Sequence, residues 1–138
     1  MSAKDVFHDA VKNALIKDGW TITHDPLSLK WDEPSVSIDL GAERVIAAEK
    51  NEQKIAVEIK SFVSASVMED LEKAVGQYMI YLIALGETGI DRELYLAVPE
   101  NIVKEVLSKP MATKLLKRFG VHVIGYDAKK EEIVRWIH

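Results

Sequence analysis

Glu58 and Lys60 stand two residues apart in Ile55-Ala56-Val57-Glu58-Ile59-Lys60, where Ile55, Val57 and Ile59 occupy every second position. On an extended strand that spacing sends Glu58 and Lys60 to one face and the three β-branched residues to the other. A carboxylate and an ammonium on a strand buried on both faces are costly unless they are paired, bind a metal or border a wet cleft. A second carboxylate, Asp39, lies on the polar face of an earlier alternating run, in which Val36, Ile38 and Leu40 interleave with Ser35, Ser37 and Asp39. Three strands in a row would bring Asp39 towards Glu58. Two converging carboxylates with a lysine beside them are what metal-assisted phosphodiester hydrolysis requires. Asp39 and Glu58 would hold a hard cation, Mg²⁺ or Mn²⁺, which neutralises phosphate and lowers the pKa of a bound water. Lys60 would stabilise the attacking hydroxide or the charged transition state. Glu-x-Lys also occurs at Glu52-Gln53-Lys54, in or beside a turn, where a solvated ion pair explains it. The structural alternative for Glu58 and Lys60 is a cross-strand ion pair on an exposed strand.

The elements that must position these residues are legible from periodicity. Val6, Phe7, Ala10, Val11, Ala14 and Leu15 recur at helical spacing and Gly19 follows, so Ala3 to Lys17 reads as an amphipathic helix. Thr21 to Thr23 is short and β-prone, and Asp25-Pro26 closes it with a turn. Strands are expected at Val36 to Leu40, ended or bulged by Gly41, then at Arg44 to Ala48, and at Ile55 to Lys60 after a turn over Glu49 to Glu52. Ser66 and Glu69 form a capping box, opening a helix from Val67 to Leu85 that Gly86 ends. That helix is apolar almost all round near Tyr78 to Leu85, and should lie across a sheet. Leu94 to Val98 is a further strand ended by Pro99. Ile102 to Leu107 and Thr113 to Phe119 read as short helices parted by Pro110, and Val121 to Tyr126 and Ile133 to Trp136 complete the sheet. The order predicts one α/β domain over residues 1–138, a mixed central sheet with helices on both sides.

Composition narrows the function classes. The chain has 138 residues, 18 Lys plus Arg against 22 Asp plus Glu, a net charge of −4, 48% hydrophobic residues and no cysteine. Such a chain can bury enough surface for one core without disulfides. Absence of cysteine removes thiolate zinc sites, redox pairs and cysteine nucleophiles, and agrees with a cytoplasmic setting. Residues 1–18 lack the order of a signal peptide, and the longest apolar run, Tyr78 to Leu85, falls far short of the ~20 residues of a membrane span. A membrane protein is therefore not expected. The acidic balance argues against a non-specific nucleic-acid coat but leaves room for a local DNA-binding patch. The basic run Lys104, Lys109, Lys114, Lys117 and Arg118, opposed only by Glu105, is either such a patch or a solvated helix face. No Gly-rich phosphate loop and no GxSxG elbow is present. Glu43 and Glu49 flank the proposed site in sequence as further carboxylates or as edge-strand surface charge. His122 and His138 have no ligand-like partners at useful spacing, and Trp31, Tyr95 and Trp136 read as core or interface residues.

Asp39 with Glu58-Ile59-Lys60 resembles the PD-(D/E)xK nuclease superfamily of restriction endonucleases, Holliday-junction resolvases and RecB-like nucleases. The order helix, three strands, helix, strand over Ala3 to Val98 is similar to that superfamily's core, with the C-terminal helices and strands added. Gln77-Tyr78-Met79-Ile80-Tyr81 resembles the Gln-x-x-x-Tyr motif of RecB-like members, which implies that Gln77 and Tyr81 face the active site. The resemblance implies a restriction-endonuclease-like fold, a Mg²⁺ or Mn²⁺ site made by Asp39, Glu58 and the Ile59 backbone carbonyl, and Lys60 as catalytic lysine. The proline that often precedes the first aspartate is replaced, since Ser37-Ile38-Asp39 stands there. The first helix often adds a glutamate ligand. Here its candidates are Asp5, His8 and Asp9, of which His8 shares a face with Val11 and Leu15 and is the choice, a core histidine being the alternative.

Over its whole length the chain resembles the XisH family, the fdxN element excision controlling factors. The carrying stretches are Ala3-Lys4-Asp5-Val6-Phe7-His8, Ser37-Ile38-Asp39-Leu40-Gly41-Ala42-Glu43, Ala56-Val57-Glu58-Ile59-Lys60-Ser61-Phe62 and Gly76-Gln77-Tyr78. The resemblance implies excision of a DNA element alongside a site-specific recombinase and a small XisI-like companion. Three readings follow: a Mg²⁺-dependent DNA endonuclease, a non-catalytic accessory that binds DNA or the recombinase, and a toxin-like nuclease controlled by the companion. A homodimer would suit an enzyme that cuts both strands.

Overall fold

The computed structural model describes residues 3–28, 30–32, 37–39 and 45–138, with side chains described for residues 6–28 and 45–138. Helix α1 (Ala3–Lys17) is followed by strand β1 (Thr21–His24), a hairpin of β2 (Lys30–Asp32) and β3 (Ser37–Asp39), and strands β4 (Val45–Lys50) and β5 (Gln53–Ile59). Helix α2 (Val67–Glu87) leads to β6 (Glu93–Pro99). Helix α3 (Glu100–Ile102), continued by a π turn to Leu107, and α4 (Pro110–Arg118) precede β7 (Val123–Asp127) and β8 (Glu132–Ile137). Six strands form a mixed sheet in the order β1-β4-β5-β6-β7-β8, parallel at β5/β6 and β6/β7 and antiparallel elsewhere.

Alternation along the strands sorts side chains into two cores. Ile46, Ala48, Ile55, Val57, Ile59, Tyr95, Ala97, Ile124 and Tyr126 pack beneath α1 through Ala10, Val11 and Leu15. Val45, Ala47, Ala56, Leu94, Leu96, Val98 and Val123 pack beneath α2, α3 and α4, meeting Leu71, Ala74, Tyr78, Tyr81, Leu107 and Leu116. The central strands are apolar on both faces because both are covered. The expected α/β architecture, a mixed sheet with helices on both sides, is what the chain adopts.

Four local expectations are corrected. The strand carrying Asp39 is not one of three neighbours in the main sheet. The Leu27 N–H donates to Val45 O at 2.7 Å, so the sheet edge closes from β1 directly onto β4, while β3 pairs with β2 in a separate two-stranded ladder, Lys30 opposite Asp39. Glu49 and Lys50 continue β4, leaving Asn51 and Glu52, both at positive φ, as the turn. Gly86 does not end α2. The helix runs to Glu87 because Thr88 caps it, its hydroxyl donating to Ala84 O at 2.7 Å and its N–H to the same oxygen at 3.0 Å. Pro110 does not sit between two helices but opens α4, where its missing N–H costs nothing.

At the start of α2 the Glu69 N–H donates to Ser66 Oγ at 3.2 Å, the N-cap bond expected from the sequence. Asp70 Oδ2 accepts from the Ser64 N–H at 3.2 Å and so ties the preceding loop to the first helical turn. The apolar section of α2 crosses the sheet as expected, yet Ile80, Leu82 and Ile83 remain exposed on its outer side. No helix among the described residues is long and apolar enough to cross a membrane.

Candidate functional site

Glu58 is the penultimate residue of β5, two positions beyond Ala56, and therefore points into the α2-side layer. It is 1% exposed, the only charged residue among the described ones to be buried so completely. Lys60 follows where β5 ends, its N–H still donating to Ala97 O at 3.0 Å, so its side chain leaves the same face. Lys60 Nζ lies 3.9 Å from Glu58 Oε2, with the lysine side chain 14% exposed. The charges meet at the carboxyl end of a parallel strand, where open α/β sheets place their ligand sites. Two residues further on, Phe62 takes a φ of +56° while its ring is buried in the α2-side core. A left-handed backbone at a bulky aromatic is strained, and burial of the ring holds the sharp turn that aims the end of β5.

Helix α2 forms the other wall. Tyr78 and Tyr81 both face the sheet and are buried. The Tyr78 hydroxyl donates to Leu94 O at 2.8 Å and accepts from the His122 N–H at 3.2 Å, fixing the helix to the start of β6 and β7. Burial first, and then the negative charges of Glu58 and Glu93, raise the Tyr78 pKa, outweighing the bond from His122. Gln77, four residues before Tyr81, is exposed, so the two members of the pair differ: the tyrosine is in the core and the glutamine is open to solvent.

Asp39 is described by its backbone alone. It closes β3, and the partner strand β2 lies against α2, which sets the hairpin on the same side of the sheet as Glu58. Val45, six residues after Asp39, is the register partner of Glu58. Chain connectivity thus limits the Cα of Asp39 to roughly 20 Å from that of Val45. The Ile59 backbone ends β5 opposite Ala97, at the same carboxyl edge.

His8 is not brought to Glu58. It projects from α1, which covers the opposite face of the sheet, and its Nε2 lies 2.7 Å from Asp25 Oδ1, with Lys12 Nζ 2.7 Å from the other oxygen. Asp9 is exposed on the same helix, while the side chain of Asp5 and all of Glu43 lie outside the described residues. Glu49 stands at the far end of β4, opposite Lys54, and meets Arg92 at 3.2 Å. The basic residues Lys104, Lys114, Lys117 and Arg118 are exposed on the helical turns of the α2-side layer, and Lys109 is exposed in the bend before α4. Lys104 and Lys117 border a cavity of about 560 Å³ together with Arg135.

Spacing along the sequence misses one group entirely. His122 and His138 converge with Glu93, their ligand atoms all within 4.8 Å of one another. No local motif announces this, because the three residues flank β6, β7 and β8 and meet only through strand pairing.

Comparison with known proteins agrees with the whole-chain pattern. The XisH protein family matches residues 1–134. The crystal structure of an XisH family protein from Nostoc punctiforme superposes with a TM-score of 0.87 at 38% identity, covering 97% of this chain and 100% of that one. That of an fdxN element excision controlling factor protein from Anabaena variabilis gives a TM-score of 0.86 at 40% identity, covering 97% and 99%. No curated protein matches significantly. Family match and structural likeness span nearly the whole chain, and it belongs to the XisH family.

Proposed function

We propose that this chain is a DNA-element excision controlling factor that acts as a Mg²⁺-dependent DNA endonuclease of restriction-endonuclease-like fold. One observation carries the reading: a carboxylate 1% exposed, Glu58, sits at the carboxyl end of β5 with the Lys60 ammonium 3.9 Å away. A purely structural ion pair at such depth gains little over apolar packing, because two charges must be desolvated to make it. A site that receives a cation and a phosphodiester gives both charges a use. Excision control comes from the Anabaena variabilis relative, which carries that description.

In this reading Asp39, Glu58 and the Ile59 carbonyl hold Mg²⁺ or Mn²⁺, an all-oxygen set suited to a hard cation. When bound, the metal would neutralise phosphate charge and acidify a water. Lys60 places its ammonium beside the attacking oxygen and Tyr81 packs the wall next to it. Gln77, on the open side of the same helix, is free to hydrogen-bond DNA. The exposed lysines Lys104, Lys109, Lys114 and Lys117 supply the phosphate contacts that a chain of net charge −4 must gather locally. The XisI-like companion finds apolar surface on the outer side of α2 at Ile80, Leu82 and Ile83. A recombinase complex or a second copy of the chain completes the expected assembly.

A second reading, a non-catalytic accessory that binds DNA or the recombinase, is favoured by one observation: His8, the chosen first-helix ligand, is engaged with Asp25 on the other side of the sheet. A nuclease kept inactive by its companion is a variant of the first reading. Incubating the purified chain with supercoiled plasmid and with DNA carrying the element junctions, in Mg²⁺ or Mn²⁺ and with and without companion, separates them. Nicking by the wild type that falls at least about a hundredfold in Lys60→Ala, with folding intact, is expected for an enzyme. Equal nicking by both proteins would overturn catalysis at this site. DNA binding without cleavage in any condition would leave the accessory role.

A further inference from the structure

We infer that Glu93, His122 and His138 form a binding site for a divalent transition cation of the Zn²⁺ class, separate from the Glu58 site and independent of the nuclease reading. Glu93 opens β6, His122 directly precedes β7 and His138 directly follows β8, so the ends of three adjacent strands deliver the three side chains to one point. His122 Nδ1 is 3.4 Å from Glu93 Oε1. A tetrahedral centre with bonds of ~2.05 Å holds its ligand atoms about 3.35 Å apart, so this edge already has the span a bound Zn²⁺ would set. His122 Nδ1 is shielded from solvent and makes no hydrogen bond, leaving its lone pair or proton without an aligned partner. A nitrogen that faces a carboxylate and a second imidazole in this way has the chemistry and the placement of a metal ligand.

The surroundings support the rings as a ligating group would require. Tyr95 Oη lies 3.2 Å from His138 Nδ1, a contact that fixes that ring's orientation, and the Tyr95 ring packs edge-on against it at 5.6 Å between centroids. Trp136 closes on Tyr95 from β8 at 5.1 Å. Metal-bound histidines are commonly held this way by a neighbouring polar group. Two imidazoles and one carboxylate select a borderline cation such as Zn²⁺ over Mg²⁺ or Ca²⁺, which prefer all-oxygen shells. Three protein ligands leave the fourth position open to water or to a group on a partner molecule.

The untagged full chain is titrated with Zn²⁺ against a chromophoric chelator, and separately with Co²⁺ followed by visible absorption. Saturable binding of a single Zn²⁺ and a tetrahedral ligand-field spectrum with Co²⁺ are expected. Glu93→Gln, His122→Ala and His138→Ala should each weaken Zn²⁺ by at least about tenfold. His24→Ala, which removes an exposed histidine on β1, should not, and excess Mg²⁺ should not compete. Glu93→Gln and His138→Ala alter exposed positions and keep the test available if His122→Ala fails to fold. Absence of saturable Zn²⁺ binding, or binding that survives in His138→Ala and Glu93→Gln, overturns the site. Because Glu58 takes no part, Glu58→Gln must retain Zn²⁺ binding even if the nuclease reading fails.

Discussion

Tyr78 shows how much one side chain can organise. Its hydroxyl is both donor to Leu94 O and acceptor from the His122 N–H, joining α2 to the first residues of β6 and to the residue that precedes β7. The side chain is fully buried, so no water can replace it. Tyr78→Phe keeps the ring and orphans two backbone groups, which should lower unfolding free energy by about 1–3 kcal/mol in urea denaturation. A cost near zero would mean that the two groups re-pair. At this scale Glu58 and Lys60 were legible from alternation alone, since only one face of β5 could take Ile55, Val57 and Ile59. Tyr78 was not, because the sequence offers Tyr78 and Tyr81 on adjacent turns of one helix face and nothing local says which hydroxyl finds a carbonyl. Glu93, His122 and His138 were less legible still: each is an ordinary polar residue until β6, β7 and β8 are paired.

Among the elements, α1 is fastened by its charged edge as well as its apolar stripe. Asp25, in the bend after β1, meets Lys12 at 2.7 Å and His8 at 2.7 Å. Partial burial raises the Asp25 pKa, but the Lys12 hydrogen bond and the charges of His8 and Lys12 outweigh it and hold the carboxyl below its ordinary value. A group whose pKa is lowered by folding stabilises the protein above the unfolded pKa of about 3.9, and that contribution disappears as pH falls through the lowered folded value. Asp25→Asn should therefore cost on the order of 1 kcal/mol at neutral pH, modest because the pair is partly solvated, and that cost should shrink as pH is lowered below about 4. Chemical denaturation across that range checks it; a cost that persists undiminished in acid would point to packing instead. The extent of α1 was legible because its stripe and Gly19 bracket it. The fate of the strand around Asp39 was not. Alternation reports that Ser37 to Asp39 is extended but not which strand it joins, and a hydrogen bond between Leu27 and Val45 decides that question from outside the run.

Across the molecule, the antiparallel edge and the parallel centre of the sheet are joined at one end by Arg92, just before β6. Its guanidinium donates to Ala48 O at 3.4 Å and Glu49 Oε1 at 3.2 Å on β4, to Ile55 O at 3.2 Å on β5, and to Thr23 Oγ1 at 3.4 Å on β1. The side chain is 8% exposed although Glu49 is well solvated, so the arginine is valued for its several directed donors more than for one ion pair. Removing it takes these donors away from the Ala48 and Ile55 carbonyls. Arg92→Ala is expected to cost about 2–4 kcal/mol, and Arg92→Lys to recover less than half, since a single ammonium cannot reach three strands at once. The Glu58 site lies towards the other end of β5, three residues beyond Ile55, or about 10 Å along the strand. A staple at one end of a rigid sheet should set global stability without shaping chemistry at the other. Below its lowered melting temperature, Arg92→Ala should therefore bind Mn²⁺ with wild-type affinity, measured by titration alongside its thermal unfolding. Loss of Mn²⁺ binding by a folded Arg92→Ala would show instead that the register of β4 on β5 is held from this end, and that the site depends on it.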